Sequence, residues 1–167
     1  GDVYKRQIVI QACADDEQVA FHAVRNLIRK GRNKITMKWS KSGFAAIGDR
    51  KETPRNLFGF KDGTANVTTE KEFDKVVWTD SKDWMKGGSY MALRLVQMHL
   101  ETWDRTNLQE QENTFGRYKE SGAPFGKKDE FDEVDLSKLP VDSHVRLAKE
   151  VDLPILRRSY SYSDGID

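Results

Sequence analysis

The run "GGSYMALRLVQMHL", residues 87–100, constrains the fold of this chain more than any other stretch. Tyr90, Ala92, Arg94, Val96 and Met98 alternate with Met91, Leu93, Leu95, Gln97 and His99, which is the period of an extended strand, and much of both sets is apolar. A strand apolar on both faces needs partners at its edges and cover above and below, so it commits the chain to a sheet with packed layers. Upstream, "IVIQAC" is a short β-branched run of strand type, and Asp15 or Asp16 stands where a helix N-cap is needed. In "QVAFHAVRNLIRKG", Ala20, Val24, Leu27 and Ile28 fall at helical spacing before Gly31, which predicts one amphipathic helix. "KITMKWSKS" then puts Ile35, Met37 and Trp39 on one face and Thr36, Lys38 and Ser40 on the other, a half-buried strand. Helices and strands in this mixed order predict an α+β fold with a largely antiparallel sheet and packed helices.

The remaining segments are less regular. From Gly43 to Asn66 the period is lost while Gly, Pro, Asn and Asp accumulate, a long loop of the kind that carries function. "TTEKEFDKVVW" fits either a short helix or a strand. Thr106 followed by Gln109 has the form of a capping box opening a helix through about Tyr118. "KESGAPFGKKDEFDEVDLSKLPVDS" is polar, turn-rich and aperiodic, and reads as a surface excursion; "HVRLAKE" follows, and "ILRRSYSYSDG" alternates like a strand. Trp78, Trp84, Trp103, Tyr160 and Tyr162 read mostly as core or strand packing, with a minority able to pass electrons to bulky substrates.

Composition narrows the function classes. The chain's 167 residues suffice for one domain, or for pieces of two. Its 28 basic side chains are nearly balanced by 27 acidic ones, which gives no electrostatic case for a nucleic-acid or membrane partner. No apolar run approaches a membrane span. Cys13 is alone, so neither an internal disulfide nor a thiolate metal cage can be built from this chain. The opening "GDVYKRQ" begins without methionine and resembles a translated sequencing adapter, so residues 1–7 are expected to be a non-native leader.

Within the long loop, "RNLFGFKDGTAN" sets Asp62 between glycines and beside Phe58 and Phe60. Taken alone, Gly-x-x-Asp-Gly is more often a plain turn than a proton-transfer site. Among the histidines, His22 lies on the polar side of the amphipathic helix and His99 falls in the long strand. His144 stands where a polar loop gives way to "VRLA", and one imidazole without clustered partners suits a macrocycle that supplies four nitrogens better than it suits zinc. Arg157 and Arg158 are adjacent in a strand-like run and point to opposite faces, so at most one serves a pocket. An acid, a histidine and an arginine are the set a peroxide-cleaving haem site requires. The acid shuttles a proton from one peroxide oxygen to the other, and the arginine stabilises the charge on the departing oxygen.

In order, "NLFGFKDGTAN", "GGSYMALRLVQMHLETWDRT", "QENTFGRYKESGAPFG", "DSHVRLA" and "ILRRSYSYSDG" resemble the C-terminal half of dye-decolourising (DyP-type) haem peroxidases. The likeness is strongest to the exported, iron-transport-linked (deferrochelatase-like) subgroup, and "IVIQACADDEQVAFHAVRNL" resembles the end of the family's N-terminal half. The resemblance implies paired ferredoxin-like α+β modules, with residues 8–45 ending the first and residues 46–167 forming the second, haem-binding module without its last strand. It implies haem b as cofactor, Asp62 as the distal acid, Arg157 as the distal arginine, His144 as the proximal iron ligand, and Gly63, Thr64 and Ala65 along the haem edge. "KEV" at residues 149–151 replaces an Asn-Pro-Arg common in relatives, so no haem contact is carried over there. Implied partners are hydrogen peroxide and an organic electron donor, with an acidic optimum for dye oxidation; a homo-oligomer and iron-uptake partners stay open. Export to the periplasm, the extracellular space or the cell envelope of a bacterium is implied by the subgroup. Two other readings stand beside the peroxidase: a haem-handling protein of iron acquisition with incidental peroxidase activity, and a ferredoxin-like interaction module without cofactor.

Overall fold

The computed structural model describes residues 7–45, 52–151 and 156–157. The chain divides into two compact units, Gly1–Ser42 and Gly43–Asp167.

The first unit is organised by α1, Glu17–Lys30. Asp16 caps it by accepting a hydrogen bond from the Gln18 amide at 2.7 Å. Glu17 in the first turn and Arg29 and Lys30 in the last complement the helix dipole, and Gly31 closes the end. Ala20, Val24 and Ile28 form the half-buried stripe, whereas Leu27 is exposed. In the runs expected as strands, residues 8–13 and 34–42, no strand is assigned, and Lys34 closes the turn after α1.

The second unit carries α2 (Glu70–Val76), α3 (Leu100–Asp104), α4 (Leu108–Phe115) and α5 (His144–Lys149), with a 3-10 turn at Leu136–Lys138. The ambiguous "TTEKEFDKVVW" resolves to α2 because Thr69 and Glu72 make a reciprocal capping box: the Thr69 amide donates to the Glu72 carboxylate at 3.0 Å, and the Glu72 amide to the Thr69 hydroxyl at 3.3 Å. The box expected at Thr106 is different. Its hydroxyl donates back to the Thr102 carbonyl at 3.1 Å, closing α3, and Asn107 caps α4 through the Glu110 amide at 3.0 Å. Asparagine at least matches threonine as an N-cap, and Gly116, left-handed at φ 80°, stops α4 before Tyr118. His99, expected within a strand, stands at the N-cap of α3.

No β-ladder forms among the described residues; Arg55 with Lys61 and Arg117 with Pro124 make isolated antiparallel bridges, and Phe44 and Gln97 also stand in bridge positions. The run from Tyr90 to Gln97 is extended and exposed, with Tyr90, Met91, Leu93 and Leu95 open to solvent. A strand is defined by a ladder of hydrogen bonds to a neighbour, which alternation along one segment does not by itself supply.

The core of this unit is aromatic. Phe60 stacks on Phe115 with centroids 4.0 Å apart, Phe58 lies 4.4 Å from Trp103, and the Trp103 indole N–H donates to the Phe58 carbonyl at 3.1 Å. Trp84 is 88% exposed and Trp78 is also exposed, contrary to a core reading; Tyr160 and Tyr162 lie outside the described residues, as do Arg158 and residues 1–6. The segment read as a surface excursion is a second correction: Ala123, Pro124, Glu130, Leu139 and Ser143 are all buried. Its aperiodic sequence packs because polar side chains from outside it cross-link its backbone and carboxylates. The Arg117 guanidinium, for example, donates to the carbonyls of Gly122 at 2.6 Å and Glu130 at 2.8 Å.

Candidate functional site

Asp62 sits on a turn that the sequence builds locally. The Asn56 side chain accepts from the amides of Phe58 and Phe60 at 3.0 and 3.2 Å, and the Asn56 amide donates to the Phe60 carbonyl at 2.9 Å. Arg55 pins the turn from outside, donating to the carbonyls of Gly59, Lys119 and Glu120 at 2.8, 2.6 and 2.9 Å. Beyond the turn the Asp62 amide donates to the Pro54 carbonyl at 2.8 Å. Gly63 follows at φ 112°, a backbone conformation that a side chain would strain, and a Cβ there would approach the Asn66 amide nitrogen to 3.2 Å.

Arg157 comes from the far end of the chain and forms an ion pair with Asp62, Nη2 to Oδ2, at 3.3 Å; the carboxylate side chain is 13% exposed and the guanidinium 42%. Asn66 fixes the arginine's backbone: its amide nitrogen donates to the Arg157 carbonyl at 2.9 Å and its amide oxygen accepts from the Arg157 N–H at 2.8 Å. The pairing copies one rung of a sheet with a side chain in place of a strand.

His144 opens α5. Its ring meets Phe115 edge-on with centroids 5.9 Å apart, so the ring that stacks on Phe60 also backs the imidazole. One side of His144 faces solvent, and no hydrogen bond to its imidazole is found among the described residues. Crowding by its neighbours is the main cause that lowers its pKa below the ordinary value; the Arg157 and Arg94 guanidinia push the same way, and Asp62 opposes them. The neutral, metal-ligating form of the ring is thereby favoured.

Of the other candidate residues, Thr64 is half-buried and its hydroxyl donates to Glu130 at 2.8 Å, while Ala65 is exposed. Asn66 was within the quoted motif yet had no assigned task, since nothing local to an asparagine after a turn points to a distant arginine. Phe115 was likewise missed: its sequence position, at the end of a capped helix, marks a helix residue and not a bridge between turn and histidine. A cleft of about 840 Å³ is lined by Arg55, Leu108, Glu112, Tyr118 and Lys119 among others, and by none of Asp62, His144 and Arg157. We locate the candidate site by the converging side chains, because concavity without convergent chemistry marks no reaction.

The second unit thus brings an acid–arginine pair, Asp62 with Arg157, within the electrostatic reach of the His144 imidazole. The family model described as "Dyp-type peroxidase, C-terminal" matches residues 53–167, and "Dyp-type peroxidase, N-terminal" matches residues 5–45. The chain belongs to the Dyp-type peroxidase family. It is 41% identical over 181 aligned positions to a deferrochelatase of Escherichia coli (strain K12), covering 95% of this chain and 43% of that protein. A deferrochelatase of Yersinia pseudotuberculosis is 39% identical, with 95% and 42% covered. The chain thus spans less than half the length of the curated relatives it matches. Among solved structures, a DyP-type peroxidase from Cellulomonas bogoriensis superposes with a TM-score of 0.80 at 32% identity, covering 89% of this chain and 45% of that one. A DyP-type peroxidase from Streptomyces coelicolor gives a TM-score of 0.78 at 31% identity, with 92% and 48% covered. The fold is therefore of the DyP type.

Proposed function

We propose that this chain is the haem-binding part of a hydrogen peroxide-dependent peroxidase that oxidises dyes or other organic donors. Within it, Asp62 serves as distal acid and base, Arg157 as charge stabiliser and His144 as iron ligand. The observation that carries the reading is the Asp62–Arg157 ion pair at 3.3 Å, assembled from opposite ends of the second unit with His144 inside its field. The donor set fits haem b. Among the described residues no three His, Cys, Asp or Glu side chains cluster to hold a bare metal ion, whereas a single imidazole kept neutral suits iron that arrives in a porphyrin. Haem would supply the redox chemistry at which peroxide is split. Asp62 accepts the first peroxide proton while ionised and returns it to the leaving oxygen. Arg157, tethered at its backbone by Asn66, holds a fixed positive charge where negative charge develops. Gly63, Thr64 and Ala65 would border the haem edge.

We extend the proposal to the architecture. Residues 8–45 end an N-terminal ferredoxin-like module, and residues 46–167 form the C-terminal one, whose antiparallel sheet uses the exposed run at 90–97. Export to the bacterial periplasm or envelope is part of the same reading; no helix among the described residues is long and apolar enough to cross a membrane. A homo-oligomer and iron-uptake partners are compatible with the same reading.

A second reading is favoured by the relatives named as deferrochelatases, at 41% identity: a haem-handling protein that releases iron, with peroxidase activity incidental. The test is a peroxide-dependent dye assay on the full-length protein and its Asp62→Ala variant, run beside a measurement of free protoporphyrin. Dye oxidation lost in the variant, with no protoporphyrin formed, supports the peroxidase. Protoporphyrin release that persists without peroxide turnover supports iron removal. An absorption spectrum of His144→Ala that keeps the Soret band unchanged overturns the ligand assignment.

A further inference from the structure

Asp62 is flanked by side chains that both reach the same distant carboxylate. Lys61 Nζ lies 2.7 Å from Glu130 Oε1, and the Thr64 hydroxyl donates to Glu130 Oε2 at 2.8 Å. Each oxygen of Glu130 therefore holds one side of the acid's segment. The Lys61 and Glu130 side chains are only 12% and 8% exposed. Burial alone would raise the Glu130 carboxyl, but hydrogen bonds from Lys61, Thr53 and Thr64 outweigh it and keep the group below its ordinary value, ionised. A buried pair of this kind tolerates little drift, because each lost contact leaves a charge without water. Glu130 is itself anchored: its carbonyl accepts from the Arg117 guanidinium at 2.8 Å, and the same nitrogen holds the Gly122 carbonyl at 2.6 Å.

We propose that Glu130 is a positioning residue for the peroxide step, setting Asp62 against Arg157 by gripping Lys61 on one side and Thr64 on the other. This rests on the reading of Asp62 as the acid and base. The grip has two effects. It fixes the segment to the cross-linked excursion, so that the Asp62 carboxyl keeps its angle to Arg157. It also occupies the Lys61 ammonium, which would otherwise compete with Arg157 for the carboxylate of its own sequence neighbour. Side chains that orient a reacting group in this way control rate without touching substrate, since a displacement of about 1 Å costs on the order of 100-fold.

The experiment uses the full-length haem-loaded protein in four forms: wild type, Glu130→Gln, Lys61→Met/Glu130→Met, and Asp62→Asn. The double variant removes the ion pair without stranding a buried charge, so it folds even where Glu130→Gln does not. Stopped-flow reaction with hydrogen peroxide is expected to slow roughly 10-fold to 100-fold in both Glu130 variants, while KM for the organic donor and the haem absorption spectrum stay as in wild type. A loss spread equally over the peroxide step, donor KM and spectrum means general loosening and overturns the positioning role. Hydrogen exchange of the haem-free protein gives an independent readout: peptides covering residues 56–66 are expected to exchange faster in both variants. Peroxide rates and exchange unchanged in the Glu130 variants, with Asp62→Asn impaired, overturn the proposal and leave the acid intact. Asp62→Asn as fast as wild type overturns the acid, and the positioning role with it.

Discussion

Asp62 and Arg157 meet because two neighbours with no chemistry of their own bring them there. The 3.3 Å pair joins a turn set by Asn56 to a segment set by Asn66. Replacing Asp62 by Asn keeps the shape and removes the base, so the peroxide reaction of the full-length protein is expected to slow by about 10²-fold to 10⁴-fold, measured by stopped flow. Asn66→Ala removes the double hydrogen bond to Arg157 without touching the guanidinium; a loss of about 10-fold in the same rate, with the Soret band retained, is the expected result. His144 makes a pH prediction. Its folded-state pKa lies below the ordinary 6.5, so in the window beneath 6.5 the unfolded chain binds a proton that the folded chain refuses. Stability accordingly falls as pH drops through 6.5 and levels off below the folded value. His144→Gln should flatten that slope in thermal melts of the haem-free protein. The residue types of the site are legible in the motifs "FKDGTAN", "SHVRLA" and "LRR"; their tethers are not, because Asn66 and Glu130 act across long stretches of chain.

At the scale of elements, α1 and the caps of α1 and α2 were readable from local pattern, whereas α3 and α5 were not. The α1 cap at Asp16, its stop at Gly31 and the Thr69–Glu72 box depend on residues within one or two turns of each other, so a local reading reaches them. Three aromatic residues spaced far apart cannot be read this way: that Phe115 stacks on Phe60 at 4.0 Å and backs His144 follows from packing α4 and α5 against the turn. Phe115→Ala is expected to destabilise the unit by about 3 kcal/mol in denaturant unfolding and to weaken haem retention, since one ring supports both turn and ligand. Ser143 offers a contrast. It is fully buried under Gly116, and its hydroxyl finds no hydrogen-bond partner among the described residues. Ser143→Ala should therefore stabilise by about 1 kcal/mol, with the helix start unharmed because that hydroxyl caps nothing.

Across the whole molecule, the segment that looked least structured from sequence holds much of the interior. Residues 119–143 read as polar surface, yet they contribute Ala123, Leu139 and the Glu130 anchor. Composition is blind to cross-links that reach a loop from polar side chains outside it. Glu130→Ala leaves Lys61 buried and unpaired and is expected to cost about 3 kcal/mol near neutral pH. Because the folded Glu130 sits below its ordinary 4.5, this contribution is present above 4.5 and fades as pH falls through the folded value, so wild type and variant should converge in acid melts. The strand predicted at 90–97 behaves in the opposite way, vivid in sequence yet without an assigned ladder among the described residues. Local order thus specified the helix caps, the turn around Asp62 and the alternation that asks for a sheet, because each depends on neighbours along the backbone. Which carboxylate faces which guanidinium, which ring supports the histidine and what holds the acid in place were settled by packing, since those contacts join residues that no local pattern relates.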